Sequence, residues 1–134
     1  MYKNPYLVQS NVAGDRKHSI LEIIRQYNIL ESTIQKFNLL HPRFMPVNKK
    51  YFLCGGDEIS LADATIFPTT VFVNYILPKF FGYSEKDIFK PNIKRWFDFM
   101  SSEVEAASEV RSEIESGLDS WNAAKRWDPI VAEY

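Results

Sequence analysis

The sequence predicts an all-α domain, a bundle of about four or five helices. Three observations carry this. Apolar residues recur at alternating steps of three and four through most of the chain, helix-start signals stand before the apolar runs, and no stretch alternates with the period of two that a half-buried strand requires. The chain has 134 residues, 46% hydrophobic and 25% charged, enough for a single core and a single domain.

Residues 1–14 contain Pro5, Gly14 and scattered Tyr and Asn without a period, and read as an extended leader. From Asp15, read as a cap, Ile20, Ile23, Tyr27, Leu30, Ile34, Phe37 and Leu40 line one face of a long helix that stops near His41 and Pro42. Arg16, Lys17, Glu22, Arg25, Gln26, Glu31, Gln35 and Lys36 are expected on its watered side. A connecting loop with Pro42, Pro46, Gly55 and Gly56 follows, with at most a short turn of helix or strand at residues 51–53.

The run ISLADATIFPTTVFVNYILPKFFG is too long and too apolar for one strand, and reads as a buried helix. Ser60 and Asp63 give it a reciprocal start: the hydroxyl accepts from the third helical N–H, and the carboxylate reaches back to the N–H of Ser60, with Ile59 stapled to Ala64. Pro68 predicts a kink over residues 64–68, and Pro78 an end. Pro91 suits a first helical position, before Ile93, Trp96, Phe97, Met100 and Val104 at helical spacing. Val104, Ala107, Val110, Ile114, Leu118 and Trp121 form the face of a last helix; Ser102 with Glu105 is its candidate capping box.

Composition narrows function by exclusion. With 16 basic and 17 acidic residues the net charge is −1, which gives no electrostatic basis for nucleic acid. No window reaches the roughly 20 apolar residues of a membrane span, and the N-terminal residues lack the pattern of a signal or transit peptide. The expectation is a soluble intracellular protein of the cytosol or an organelle interior, with peripheral association with a membrane complex left open. His18, His41 and Cys54 have no zinc-ligand spacing, and Asp57 and Glu58 beside two glycines read as a solvated turn, so no metal is expected.

Catalytic constellations are equally thin. Cys54, between Leu53 and Gly55, reads as a buried structural thiol. Gly55-Gly56 lacks the Lys-Ser/Thr pair and strand context of a phosphate loop, and Ser60 has no base to activate it, so neither a cofactor site nor a catalytic residue is assigned. Arg43, Lys49, Lys50 and Tyr51 read as a solvated basic loop. The chain is rich in aromatics, at 15%. Phe80, Phe81 and Tyr83, with Trp121, Arg126, Trp127 and Tyr134, form a candidate partner-docking surface, set against the simpler reading in which WDPIVAEY folds back and fills its own groove.

The run GGDEISLADATIFP resembles the interior of the helical C-terminal domain of glutathione transferases, where two glycines and a Ser/Thr-x-x-Asp cap open the central helix. KPNIKRWFDFM resembles that family's next helix, and the long first helix fits as well, so the resemblance covers roughly residues 15–125, with 126–134 as a tail. It implies that Ser60 and Asp63 are a folding cap. The family's thioredoxin-like half, which binds and activates glutathione, has no counterpart here, so glutathione binding by this chain alone is not expected. The same helical domain serves as a docking module in the gamma subunit of eukaryotic translation elongation factor one and in appendages of aminoacyl-tRNA synthetases. The leading expectation is therefore a non-catalytic module that binds protein partners in a larger assembly. The alternatives are the second-substrate half of a transferase, and a small apolar-ligand carrier using a pocket between the first long helix and the last.

Overall fold

The computed structural model describes residues 13–40 and 50–132. Six helices follow one another in this part of the chain: α1 (Ala13–Leu40), α2 (Leu61–Phe80), α3 (Glu85–Ile88), α4 (Pro91–Glu103), α5 (Glu105–Ala123) and α6 (Asp128–Ala132). Four long helices carry the core, as the periodicity predicts; α3 and α6 are short additions. Helix α1 begins by Ala13, so Asp15 lies within it instead of capping it, and the last two residues of the expected leader are helical. Residues 1–12, the loop residues His41, Pro42, Arg43, Pro46 and Lys49, and Tyr134 lie outside the described residues.

On α1 the predicted stripe faces inward, with Ile20, Ile23 and Tyr27 buried and Leu30 and Ile34 packed against the core. Two of the residues expected in water do not reach it. Arg16 is 1% exposed and Glu31 is 5% exposed. Arg16 precedes Ile20 by four positions, and Glu31 follows Tyr27 by four, so both share the phase of the apolar stripe. Burial of charge requires partners. Arg16 Nη1 donates to the Ile130 carbonyl at 3.1 Å. Glu31 accepts from the N–H groups of Asn92 (2.9 Å) and Ile93 (3.0 Å) and from Asn92 Nδ2 (3.1 Å).

That second set of bonds explains how α4 starts. Its N-cap, Lys90, makes no side-chain cap bond, and Pro91 stands at the first turn, where its missing N–H leaves nothing unsatisfied. The orphan donors behind it are taken by Glu31, a carboxylate placed where the positive end of the helix dipole favours it. Ile93, Trp96, Phe97, Phe99 and Met100 then bury one face of α4.

Helix α2 supplies Phe67, Val71, Val73, Ile76 and Leu77 to the core and packs against α3, α4 and α5. It continues as one element through Pro68. Pro78 lies inside its last turn and does not end it. The end is made two residues later, where the N–H groups of Phe81 (3.1 Å) and Tyr83 (3.3 Å) both reach the Leu77 carbonyl, and Gly82 takes the intervening positive φ of 75°. Helix α3 follows from a second Ser-x-x-Asp pattern: Asp87 Oδ2 accepts from the Ser84 N–H at 2.9 Å and its hydroxyl at 3.0 Å.

The break between α4 and α5 falls at Val104, whose extended backbone (φ −108°, ψ 105°) separates the two helices. The expected Ser102–Glu105 box is not formed; Ser102 lies within α4 and its hydroxyl donates to the Asp98 carbonyl. Ala107 and Leu118 of α5 are buried, and Arg111 places its guanidinium 4.8 Å from the Phe97 ring centre. Among the described residues no helix is long and apolar enough to cross a membrane.

Candidate functional site

The Ser60–Asp63 cap forms as predicted and does more than start a helix. The Asp63 N–H donates to Ser60 Oγ at 3.3 Å, and Asp63 Oδ2 accepts from the Ser60 N–H (2.8 Å) and hydroxyl (2.7 Å). The other oxygen, Oδ1, accepts from the Leu53 N–H (2.9 Å) and from Trp96 Nε1 (2.8 Å). Asp63 is fully buried, so one carboxylate ties together the loop before α2, the start of α2 and the middle of α4. The expected staple is not packed: Ile59 is 51% exposed and Ala64 also faces solvent. Ile59 instead edges a cleft of about 670 Å³ with Phe52, Phe99 and Val104, and with Lys50, Glu103 and Glu105 at its polar side.

The loop before α2 turns at Phe52, whose carbonyl accepts from the Gly55 N–H at 2.9 Å, and Gly55 and Gly56 both take positive φ (74° and 71°). Asp57 and Glu58 are exposed, as a solvated turn requires. Cys54 is exposed as well, contrary to the expected buried thiol. It occupies the turn itself, and Phe52 and Leu53 pack inward without drawing it after them.

The candidate aromatic docking set divides. Phe81 is 4% exposed and Trp127 is 1% exposed, so both belong to the core and offer nothing to a partner in this fold. Phe80 and Tyr83 are half-buried, and Phe80 stacks on Trp127 with ring centres 5.0 Å apart and an interplanar angle of 17°. Phe72 and Trp121 complete the cluster at 6.3 Å and 6.0 Å from Trp127. Among the described aromatics of the set only Trp121, with the exposed Arg126 guanidinium 5.4 Å from its ring centre, presents substantial surface. Of the described residues after this point, Trp127 is buried and Ile130 and Val131 pack against the core, while Asp128, Pro129 and Ala132 are exposed.

An open apolar groove lies elsewhere, between α1 and α2. The two helices are bridged at Tyr27, whose hydroxyl donates to Thr70 Oγ1 (2.8 Å) while Thr70 donates to the Ile66 carbonyl (2.8 Å). Beside that bridge they stand apart and leave a cavity of about 420 Å³. Ile23, Ile29, Leu30, Ile66 and Val73 form its apolar lining; Glu22, Gln26, Thr33 and Thr69 are its polar members. Ile29 and Leu21 are large apolar residues left 45% and 50% exposed on the same helix. Glu22 is held by a bidentate pair with Arg25 (2.7 and 2.8 Å) and by Gln26, and these bonds lower its pKa to about 2.

Chemistry-bearing clusters are few among the described residues. No group of three His, Cys, Asp or Glu side chains converges there as a metal site would require. Tyr75 donates to Asp119 Oδ1 at 2.5 Å and accepts from Lys79. Burial and the Asp119 hydrogen bond raise its pKa, which keeps the phenol protonated and unsuited to act as a base. No family model matches the chain, and neither a curated protein nor a solved structure does.

Sequence reasoning overlooked Arg16 and Glu31, although their helical phase was available to it. The second and third partners of Asp63 had no sequence signal, because Leu53 and Trp96 reach it only through the tertiary fold.

Proposed function

We propose that this chain is a non-catalytic interaction module, similar to the helical domain of glutathione transferases, that docks an amphipathic helix of a protein partner along the α1–α2 groove. The observation that carries the reading is the groove itself: an apolar trough whose lining includes the half-exposed Ile29, with a charged pair on its rim. Helix-in-groove recognition uses this combination, with apolar anchors at helical spacing for affinity and rim charges for register. The buried capping aspartate that receives an indole N–H from the following helix supports the family likeness.

The test uses a partner isolated with the native protein, identified by mass spectrometry, and then purified for direct titration. Ile29→Glu places charge on an already exposed position of the groove lining, so thermal stability should change little. Affinity should fall at least about tenfold, the effect of roughly 1.4 kcal/mol. Undiminished affinity in this variant refutes the docking assignment. Calorimetry with glutathione should show no binding, and turnover of a standard electrophile by highly purified protein would overturn the non-catalytic reading.

A further inference from the structure

The end of α5 carries a conflict between local sequence and observed structure. Residues 123–126 are Ala-Ala-Lys-Arg, four of the strongest helix formers, yet the helix stops there. The stop is a Schellman turn: the Arg126 N–H reaches the Trp121 carbonyl at 3.0 Å and the Lys125 N–H reaches the Asn122 carbonyl at 2.9 Å. Glycine ordinarily takes the left-handed position of this turn. Here it is Lys125, at φ 59°, the one non-glycine residue with positive φ among the described residues.

What holds the strained turn closed lies beyond it. Trp127 enters the socket made by Phe72 and Phe80 of α2 and Trp121 of α5, and Ile130 offers its carbonyl to Arg16. The fit is incomplete, since Trp127 Nε1 is buried without a hydrogen-bond acceptor. Helix α6 has five residues, too few to persist unless docked.

We propose that residues 125–132 form an exchangeable strap, in which Trp127 fills either its own socket or the identical socket of a second copy of this chain. Straightening Lys125 lets α5 continue through residues 124–128 with its preferred helical backbone until Pro129 stops it. The strap then points away from its own socket. A second copy is the fitting occupant because it alone is certain to carry the same ring, spacing and carbonyl that the socket and Arg16 already accept, and exchange of identical terminal elements at a hinge is a route to a dimer of low free-energy cost. The exchanged pair would bury the same surfaces as the monomer, and would leave the α1–α2 groove free.

The experiment follows the oligomeric state of the full-length chain by size-exclusion chromatography with light scattering, after concentration and mild warming. Wild type should give a dimer fraction. Lys125→Gly removes the Cβ penalty of the closed turn and should lower the dimer-to-monomer ratio by about five- to thirtyfold for each hinge, while Lys125→Ile, β-branched and intolerant of positive φ, should raise it. Monomer throughout, or equal ratios in all three proteins, overturns the proposal. So does a dimer abolished by Ile29→Glu and indifferent to residue 125, because that would place the contact on another face.

Discussion

Replacing Asp63 with alanine removes an acceptor on which four hydrogen bonds converge in a site with no access to water. The consequences differ by donor. The Ser60 hydroxyl can turn to another acceptor, but Trp96 Nε1 belongs to a side chain only 2% exposed, and the Leu53 and Ser60 N–H groups are fixed by the backbone. Each buried donor left unsatisfied costs about 1–3 kcal/mol, partly offset because no carboxylate then has to be desolvated, so about 3–4 kcal/mol is expected in total. Asparagine should recover little: an amide has one oxygen, and two of the four donors face its NH2 group whichever way it is turned. Ser60→Ala removes the cap acceptor for one N–H and one of the four donors to Asp63, leaves the other three in place, and should cost about 1 kcal/mol. Urea unfolding followed by tryptophan fluorescence separates these values. With a slope of about 2 kcal/mol per molar, the midpoint should fall by roughly 1.5–2 M for Asp63→Ala and by about 0.5 M for Ser60→Ala. A double-mutant cycle between Asp63→Ala and Trp96→Phe should show coupling of about 1 kcal/mol. If Asp63→Ala unfolds at the same midpoint as Ser60→Ala, the bonds from Leu53 and Trp96 contribute nothing and the reasoning is refuted.

Glu31→Ala should destabilise by about 2–3 kcal/mol, since it strips the start of α4 of its acceptor, and Glu31→Gln by less; thermal melting monitored by circular dichroism checks the order, and equal melting temperatures would contradict it. Trp127→Ala should cost about 3–5 kcal/mol as a large core truncation, whereas the exposed Arg126→Ala should be close to neutral. Cys54 should react stoichiometrically with a thiol reagent in the native protein, and a reaction that needs denaturant would place it in the interior instead. The Glu22 carboxyl, followed by NMR, should titrate near 2 instead of the usual 4.5; because the folded value is the lower one, its contribution to stability is complete above 4.5 and fades as pH falls toward 2.

The elements that were legible in the sequence are those whose determinants are local. The stripe through Ile20, Ile23 and Tyr27, the Ser60–Asp63 cap and Pro91 at the head of α4 each depend on spacing within a few residues, and each is found where spacing puts it. Ser84–Asp87 has the same local spacing and starts a helix of only four residues. The failures have a different cause. Pro78 reads as a terminator, but the end of α2 depends on Gly82 turning Tyr83 back to Leu77. Trp127 and Phe81 read as surplus aromatics because composition cannot say that a tail will fold across α2, and Arg16 and Glu31 read as solvent-facing because residue type was weighed above helical phase. The α1–α2 groove follows from the separation of two helices, which no single stretch of sequence encodes.

The capping of α4 by Glu31 links positions 61 residues apart in the chain. A helix that borrows its first-turn acceptor from another helix does not open alone: when α1 lifts away, the amides of Asn92 and Ile93 lose protection together with it, however well the rest of α4 is packed. Hydrogen exchange at the head of α4 therefore reports on the attachment of α1, and the two helices belong to one cooperative unit. A fragment beginning at α2 would keep the aromatic face of α4 but not its starting point. The register at which that helix begins is information stored in α1.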